Sequence, residues 1–263
     1  MGVMISHIKS WLAHPLTRDL DIDDPITTKL RRQILQEKDF LRRIYKEWYT
    51  KLADELPSED GSALEIGTGA GFFSNFIPDL ITSDMFYYPD IKVVLDGKQL
   101  PFVRGSLRGI VMMNVLHHIS QPRLFFREAA RCVRLGGVIA MIEPWVTPWS
   151  RFVYKKLHSE PFDPQLTIWE FPTDGPLSGA NGALPWIIFE RDRNLFEQEF
   201  PEWQIQRINP CMPFRYLVSG GISMRSLMPT WSFPVWCGLE DILQPWIKTW
   251  AMFALITLVR MNP

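Results

Sequence analysis

The sequence predicts an α/β fold in which βαβ units build a parallel sheet, preceded by helices and followed by aromatic-rich insertions. Three observations predict it. The middle third alternates short apolar runs with turn signals and helical segments. A glycine-rich turn, Gly67-Thr68-Gly69-Ala70-Gly71, follows directly on the first apolar run. Four such runs in succession end in small or polar residues, where an open parallel sheet presents its ligand crevice. A chain of 263 residues is long for one simple domain and short for two, which fits a single α/β core carrying insertions.

Taken in order, residues 1–20 carry little pattern. Asp24 and Pro25 supply a helix N-cap and a first-turn proline. Leu30, Ile34, Leu41, Ile44, Trp48 and Leu52 then recur at helical spacing, giving a helix or helix pair with one apolar face. Arg31, Arg32, Arg42, Arg43 and Lys46 occupy the other faces, as a solvated surface or as a contact for an anionic membrane or substrate. The break at 57–61 ends this N-terminal helical cap, residues 1–60. Strands are predicted over 63–66, 80–83, 92–95, 109–113 and 138–142. Between the last two, Phe126, Ala129, Ala130 and Val133 form the buried face of a helix, with Arg123, Arg127, Arg131 and Arg134 on its wet face and Gly136-Gly137 as its C-cap. Residues 61–144 thus make a core unit. Residues 145–263 hold aromatic-rich lid or substrate insertions together with the last strands of the sheet. The stretch 144–185 is too long for a bare connector, and long connections of this kind are usually binding segments. A helix is predicted over 187–200, a strand over 203–208, an amphipathic helix over 239–250 kinked at Pro245, and a final strand over 251–259.

Composition narrows the function. Hydrophobic residues at 46% and charged residues at 22% exclude a disordered chain or a coiled coil as the main theme. Lys and Arg number 28 against 29 for Asp and Glu, so nucleic acid is not an expected partner. Cys132, Cys211 and Cys237 lie far apart with no CxxC pair, and no HExxH-type spacing occurs, so neither a disulfide framework nor a metal is expected. The first twenty residues lack a continuous apolar signal region and no run approaches the length of a spanning helix, which sets the expectation of a cytoplasmic protein.

The glycine turn lets a strand pass tightly into a helix and lets a ligand press against bare backbone. A dinucleotide fingerprint would need glycine at position 72, where Phe72 stands, and the Gly-Lys-Ser/Thr of a P-loop is absent. Asp84 ends the second strand and suits a ribose diol. Asp96 ends the third, in Val94-Leu95-Asp96-Gly97, placed to accept from an exocyclic amine, although Asp-Gly is also an ordinary turn. Asn114-Val115-Leu116-His117-His118 follows the fourth.

Over residues 62–144 the chain resembles the class I S-adenosylmethionine-dependent methyltransferases of the small-molecule group. The likeness lies in Glu65-Ile66-Gly67-Thr68-Gly69-Ala70-Gly71, Asp84, Asp96 with Leu100-Pro101-Phe102, Asn114 to His118, Arg131 to Gly137, and Glu143-Pro144. One departure is Ser106-Leu107-Arg108, where the family commonly has a triplet ending in Asp. The resemblance implies a Rossmann-like doubly wound sheet of order 3-2-1-4-5-7-6 with its last strand antiparallel. It also implies S-adenosyl-L-methionine as cofactor. Glu65, Gly67, Thr68, Gly69 and Gly71 would wrap its methionine and ribose portion, Asp84 would take the ribose hydroxyls, Asp96 and Gly97 the adenine edge, and Asn114 the methionine side.

The activity expected is transfer of a methyl group to an O or N atom of a partly apolar small molecule: lipid-like, polyketide or lipid-linked glycan. The competing expectation is a catalytically silent methyltransferase fold used for cofactor sensing or as a scaffold. In-line displacement at a sulfonium needs orientation above all, and a hydroxyl nucleophile also benefits from a base, for which histidine is suited. His117, at the crevice, and His158, in the aromatic insert beside Glu160 and Asp163, are the catalytic candidates. The aromatic residues of 145–186 and 231–250 have three readings: an enlarged core, a deep apolar acceptor pocket, or peripheral membrane contact through 239–250, against which Glu240 and Asp241 on the polar face argue.

Overall fold

The computed structural model describes residues 12–17, 20, 24–58, 60–157, 160–172, 175 and 179–262. Two helices come first, α1 (Pro25–Glu37) and α2 (Asp39–Glu55). The Asp24 side chain accepts from the Ile26 amide at 2.9 Å, the N-cap its sequence position implies. The chain then forms β1 (Ser62–Ile66), β2 (Leu80–Asp84), β3 (Val93–Val94), β4 (Leu107–Met113), β5 (Val133–Pro144), β6 (Trp203–Cys211) and β7 (Phe253–Arg260). They make one seven-stranded sheet of order β3-β2-β1-β4-β5-β7-β6, the order expected. β1 to β5 run parallel, and β7 runs antiparallel to both β5 and β6. The central strands read as unbroken apolar runs because both of their faces are covered.

Alternate side chains feed two cores. Leu64, Ile66, Ile110, Met112 and Ile139 face α3 (Pro122–Cys132) and the segment around Ile188 and Phe196. Ala63, Val111, Val138, Ala140 and Ile142 face α2, whose Leu41, Ile44, Trp48 and Leu52 are fully enclosed. This alternation is the period-two geometry of a strand meeting the 3.6-residue stripe of a helix.

The structure departs from expectation where helices meet strands. The glycine turn does not open a helix: only one 3₁₀ turn, Phe73–Asn75, stands between it and β2. Of the thirteen residues between β1 and β2 the glycine turn uses five, and Pro78 near the end of the remaining eight has no amide for a helical ladder and disfavours helical backbone at Ile77. α2 covers that face instead, with Tyr49 stacked on Phe73 at 4.8 Å. Gly136-Gly137 does not cap α3, which ends at Cys132; Val133 is already extended and its amide bonds the Ala129 carbonyl. Val133 and Arg134 therefore belong to β5, and Gly136, at φ +75°, sits where the β4–β5 register slips between Leu107↔Val133 and Gly109↔Val138. The departure falls at an irregular strand entry: β4 pairs with β1 and β5 through Leu107 and Gly109 and skips Arg108, whose guanidinium donates to the Pro57 carbonyl at 2.7 Å.

The insertions are more regular than their composition suggests. Residues 148–157 form α4 (Pro148–Leu157). The helix predicted over 187–200 is a wide π-helical turn, Ile187–Arg191, followed by α5 (Arg193–Glu199). α6 (Arg215–Ser219) and α7 (Phe233–Ile242) follow. The helix predicted over 239–250 starts earlier and breaks at Leu243 into a 3₁₀ turn and a short helix, Ile247–Trp250, because Pro245 has no amide to continue the ladder. Glu240 is not on a wet face. It is buried, accepts the Phe214 and Arg215 amides through Oε1 at 2.9 and 2.8 Å, and binds the Arg215 guanidinium through Oε2 at 2.6 Å. Arg215 also reaches Glu47 of α2 at 2.6 Å, so one cation ties the last insertion to the N-terminal helices.

Removing one partner of a largely buried ion pair leaves the other uncompensated and costs about 3–5 kcal/mol. Glu240→Ala is expected to lower the unfolding free energy by about 3 kcal/mol in urea titration. A loss below about 0.5 kcal/mol would mean that the network does not hold the insertion.

Candidate functional site

The C-terminal ends of β1, β2 and β4 open on one cavity of about 440 Å³. Its floor is the glycine turn. Gly67 and Gly69 sit at φ +71° and +51°, where side chains are strained. A Cβ on Gly67 would also meet Val115 Cγ2 at 2.5 Å, so this glycine is required by packing against the β4 loop. Gly71 is spoken for differently: a Cβ there would lie 2.3 Å from the Tyr49 hydroxyl, which accepts from the Phe72 amide at 3.3 Å. Gly69 has open space before it. The Thr68 amide donates to the Ser83 carbonyl at 2.9 Å, and the Gly69 amide donates to Asp84 Oδ2 at 2.9 Å, so the turn is pinned to β2.

Asp84 lines the cavity, and its Oδ1 accepts from the Phe86 amide at 3.3 Å. Burial raises its pKa while these backbone amides hold it down. Asp96 also lines the cavity, but it closes a turn as well: Oδ1 accepts from the Lys98 amide at 3.0 Å, and Oδ2 pairs with Lys98 Nζ at 3.2 Å. Gly97 is beside it, with a side chain's space limited by Ile119. Glu65 does not line the cavity. Its buried carboxylate accepts from Thr68 Oγ1 at 2.7 Å and supports the turn from behind.

The wall opposite is built on Glu143, which has no exposed surface at the end of β5. Its Oε1 accepts from the Val115 and Leu116 amides at 2.7 and 2.8 Å, and its Oε2 accepts from His117 Nδ1 at 2.7 Å. These bonds fix Asn114 at φ +57° and place its side chain on the cavity. His117 Nε2 faces Glu160 Oε2 at 3.6 Å. Burial alone would lower the His117 pKa, but Glu143 and Glu160 overcome it and raise it to about 9. His118 goes the other way, to about 4, through burial and the neighbouring His117. Among the described residues, Asn114 Oδ1 and Arg31 Nε are buried with no hydrogen-bond partner, and both residues line this cavity.

Of the predicted site residues, Gly67, Thr68, Gly69, Gly71, Asp84, Asp96, Gly97, Asn114 and His117 are brought to one cavity. His158 lies outside the described residues. Sequence reasoning missed Arg31, Tyr45, Glu160 and Tyr216 as site residues; they reach the cavity from the N-terminal helices and the insertions. Arg31 was legible only as one of five basic residues on a helix; nothing in the spacing told which of them turns inward. The aromatic residues divide by burial and place. Trp145 and Trp169 are core, Tyr154 and Phe162 stack at 4.5 Å on the cavity wall, and Trp231 and Trp246 are exposed.

Residues 64–141 match the family profile of a methyltransferase domain. No curated protein matches the chain. Among solved structures, the chain is similar to the methyltransferase solved in complex with the Haloferax volcanii Trm112 activator, at 12% identity over 92% of this chain and 99% of that one, with a TM-score of 0.53. It is also similar to geranyl diphosphate C-methyltransferase from Streptomyces coelicolor A3(2), solved with Mg²⁺, geranyl diphosphate and S-adenosyl-L-homocysteine. There the identity is 14% over 95% of this chain and 90% of that one, with a TM-score of 0.51. At such identities the likeness is one of fold.

Glu65 generates a pH test of the turn. Burial, with Asp84 nearby and against the Thr68 bond, raises its pKa from the ordinary 4.5 to about 7. Between those values the folded chain keeps a proton that the unfolded chain has lost, so this group's contribution to stability falls as pH rises through that window. Glu65→Gln is expected to match the wild type near pH 4 and to unfold at higher urea than the wild type at pH 8. Parallel pH profiles for the two would remove the buried charge from the account.

Proposed function

We propose that the chain, whose residues 64–141 match a methyltransferase domain, is a class I S-adenosylmethionine-dependent methyltransferase that moves a methyl group to an O or N atom of a partly apolar small molecule. One observation carries the reading. A single cavity is bounded both by the glycine turn with Asp84 and by aromatic side chains from the N-terminal helices and the insertions. Donor and acceptor can therefore share one enclosed space.

The residues present fit the donor. S-adenosylmethionine supplies a methyl carbon made electrophilic by its sulfonium. Asp84 is assigned the ribose hydroxyls and Gly69 the close backbone approach, since its side-chain direction is open. Asp96 and Gly97 are assigned the adenine edge, Asp96 through whatever acceptor capacity its turn and Lys98 leave. The two orphaned atoms are opposite in sense, an acceptor at Asn114 Oδ1 and a donor at Arg31 Nε, which suits the ammonium and carboxylate of an amino acid. Glu65, Gly67 and Gly71 shape the turn rather than touch the ligand.

Tyr45, Tyr154, Phe162 and Tyr216 give the acceptor region an apolar lining with hydroxyl tips. Excluding water and holding the nucleophile in line supply much of such a rate. For a hydroxyl acceptor the base is assigned to His158, two positions before Glu160. His117 is charged below about pH 9, so in the ion-free chain it orients and donates rather than accepts.

Asp84→Ala is expected to weaken binding of S-adenosylhomocysteine by about 1–3 kcal/mol in calorimetry, the scale of a buried group left unpaired. An unchanged dissociation constant contradicts the ribose assignment. Incubation with methyl-labelled cofactor and a cell extract then separates transfer from the competing reading, a cofactor-sensing or scaffold protein, which binds the nucleoside and labels nothing.

A membrane-peripheral location is supported by a displaced version of the predicted segment. No helix among the described residues is long and apolar enough to cross a membrane. Trp231, Val235, Ile242 and Trp246 are more than half exposed along α7 and its flanks; of the two acids that argued against such contact, Glu240 is turned inward and Asp241 stays exposed. Tryptophan favours the interfacial layer. Zwitterionic phosphatidylcholine vesicles are expected to sediment the protein and blue-shift its tryptophan emission, and Trp231→Ser with Trp246→Ser to abolish both; wild-type protein left in the supernatant refutes the contact.

A further inference from the structure

We propose that His117, His118 and Glu160 form a binding site for one divalent transition-metal ion of the Zn²⁺ type, opening on the cavity. One ring nitrogen of each histidine and a carboxylate oxygen of Glu160 lie within 4.8 Å of one another. His117 Nε2 and Glu160 Oε2 are 3.6 Å apart, too far for a good hydrogen bond. That separation is close to the edge of a tetrahedral site, roughly 3.3–3.5 Å for metal–ligand bonds of about 2.0–2.1 Å.

The surrounding bonds select the nitrogen that each ring offers. His117 Nδ1 must donate to Glu143, whose carboxylate only accepts, and His118 Nδ1 donates to the Gly179 carbonyl at 3.3 Å. Nε2 is thereby left as the ligating atom in both rings. A carboxylate or carbonyl behind a ligating imidazole is the usual outer support of such sites, fixing ring orientation and strengthening the ligand. Two imidazoles and one carboxylate suit Zn²⁺ and its first-row neighbours better than Mg²⁺ or Ca²⁺, which prefer oxygen. Three protein ligands leave a position for a water or an oxygen of the acceptor. Only that last use rests on the methyltransferase reading. No spacing signal marks the site, because the histidines are adjacent and Glu160 stands more than forty residues downstream.

The test is calorimetry of Zn²⁺ with the full chain, paired with the visible spectrum of Co²⁺. The expected result is one ion per chain and cobalt absorption of a low-coordinate site, with affinity reduced by about a hundredfold or more in both His118→Ala and Glu160→Gln, beyond the roughly ten- to hundredfold that loss of an outer support costs. His117 is left intact because its pair with Glu143 is structural; circular dichroism checks that both variants fold, and His118→Gln replaces His118→Ala if it does not. Absence of one-to-one binding, or unchanged affinity in either folded variant, overturns the proposal. S-adenosylhomocysteine is titrated alongside. Ion binding without nucleoside binding sinks the methyltransferase reading and leaves the metal site, and the reverse result does the opposite.

Discussion

A carboxylate without exposed surface, Glu143, holds the far wall of the cavity in shape. It accepts two consecutive amides of the β4 loop and the imidazole of His117, and each bond to a charged acceptor is worth about 1.5–3 kcal/mol. The loop cannot relax to an ordinary turn while those amides are engaged. Asn114 therefore stays in the left-handed region and keeps an unpartnered carbonyl toward the cavity. A strained residue held by surrounding bonds is how a fold keeps a polar atom available for a ligand.

The opposite wall uses a different device. The link from β1 to β2 holds a single 3₁₀ turn in place of the helix that usually follows a glycine turn, so no helix behind the turn fixes its position. Tyr49 of α2 fills that role, with its ring stacked on Phe73 and its hydroxyl against Gly71. The N-terminal helices are therefore part of the site rather than an appendage. They also bring Arg31 and Tyr45 to the cavity, and Arg215 binds them to the last insertion through Glu47 and Glu240.

Strand runs, the Asp24 cap, the glycine turn and the acids at strand ends were legible in the sequence, because each is set by neighbours a few residues away. Burial on both faces makes 138–142 and 253–256 continuously apolar, and a turn needing positive φ takes glycine. The same local logic misplaced the end of α3, since Gly136-Gly137 looks like a cap until β4 pairs with Val133. It also assigned Glu240 to solvent, because helical spacing says which residues share a face but not which face meets Arg215.

By itself, then, the amino-acid order determined the five parallel strands, the crevice at their carboxyl ends and the acids and glycines along it. Tertiary structure alone decided that Arg31 lines the cavity with its Nε unpartnered, and that the tryptophans divide between core and surface. It alone brings Glu160 to the two histidines. The division follows from range: hydrogen bonds and dihedral preferences act over a few residues, whereas the company a buried charge keeps depends on segments that meet only after the sheet has closed.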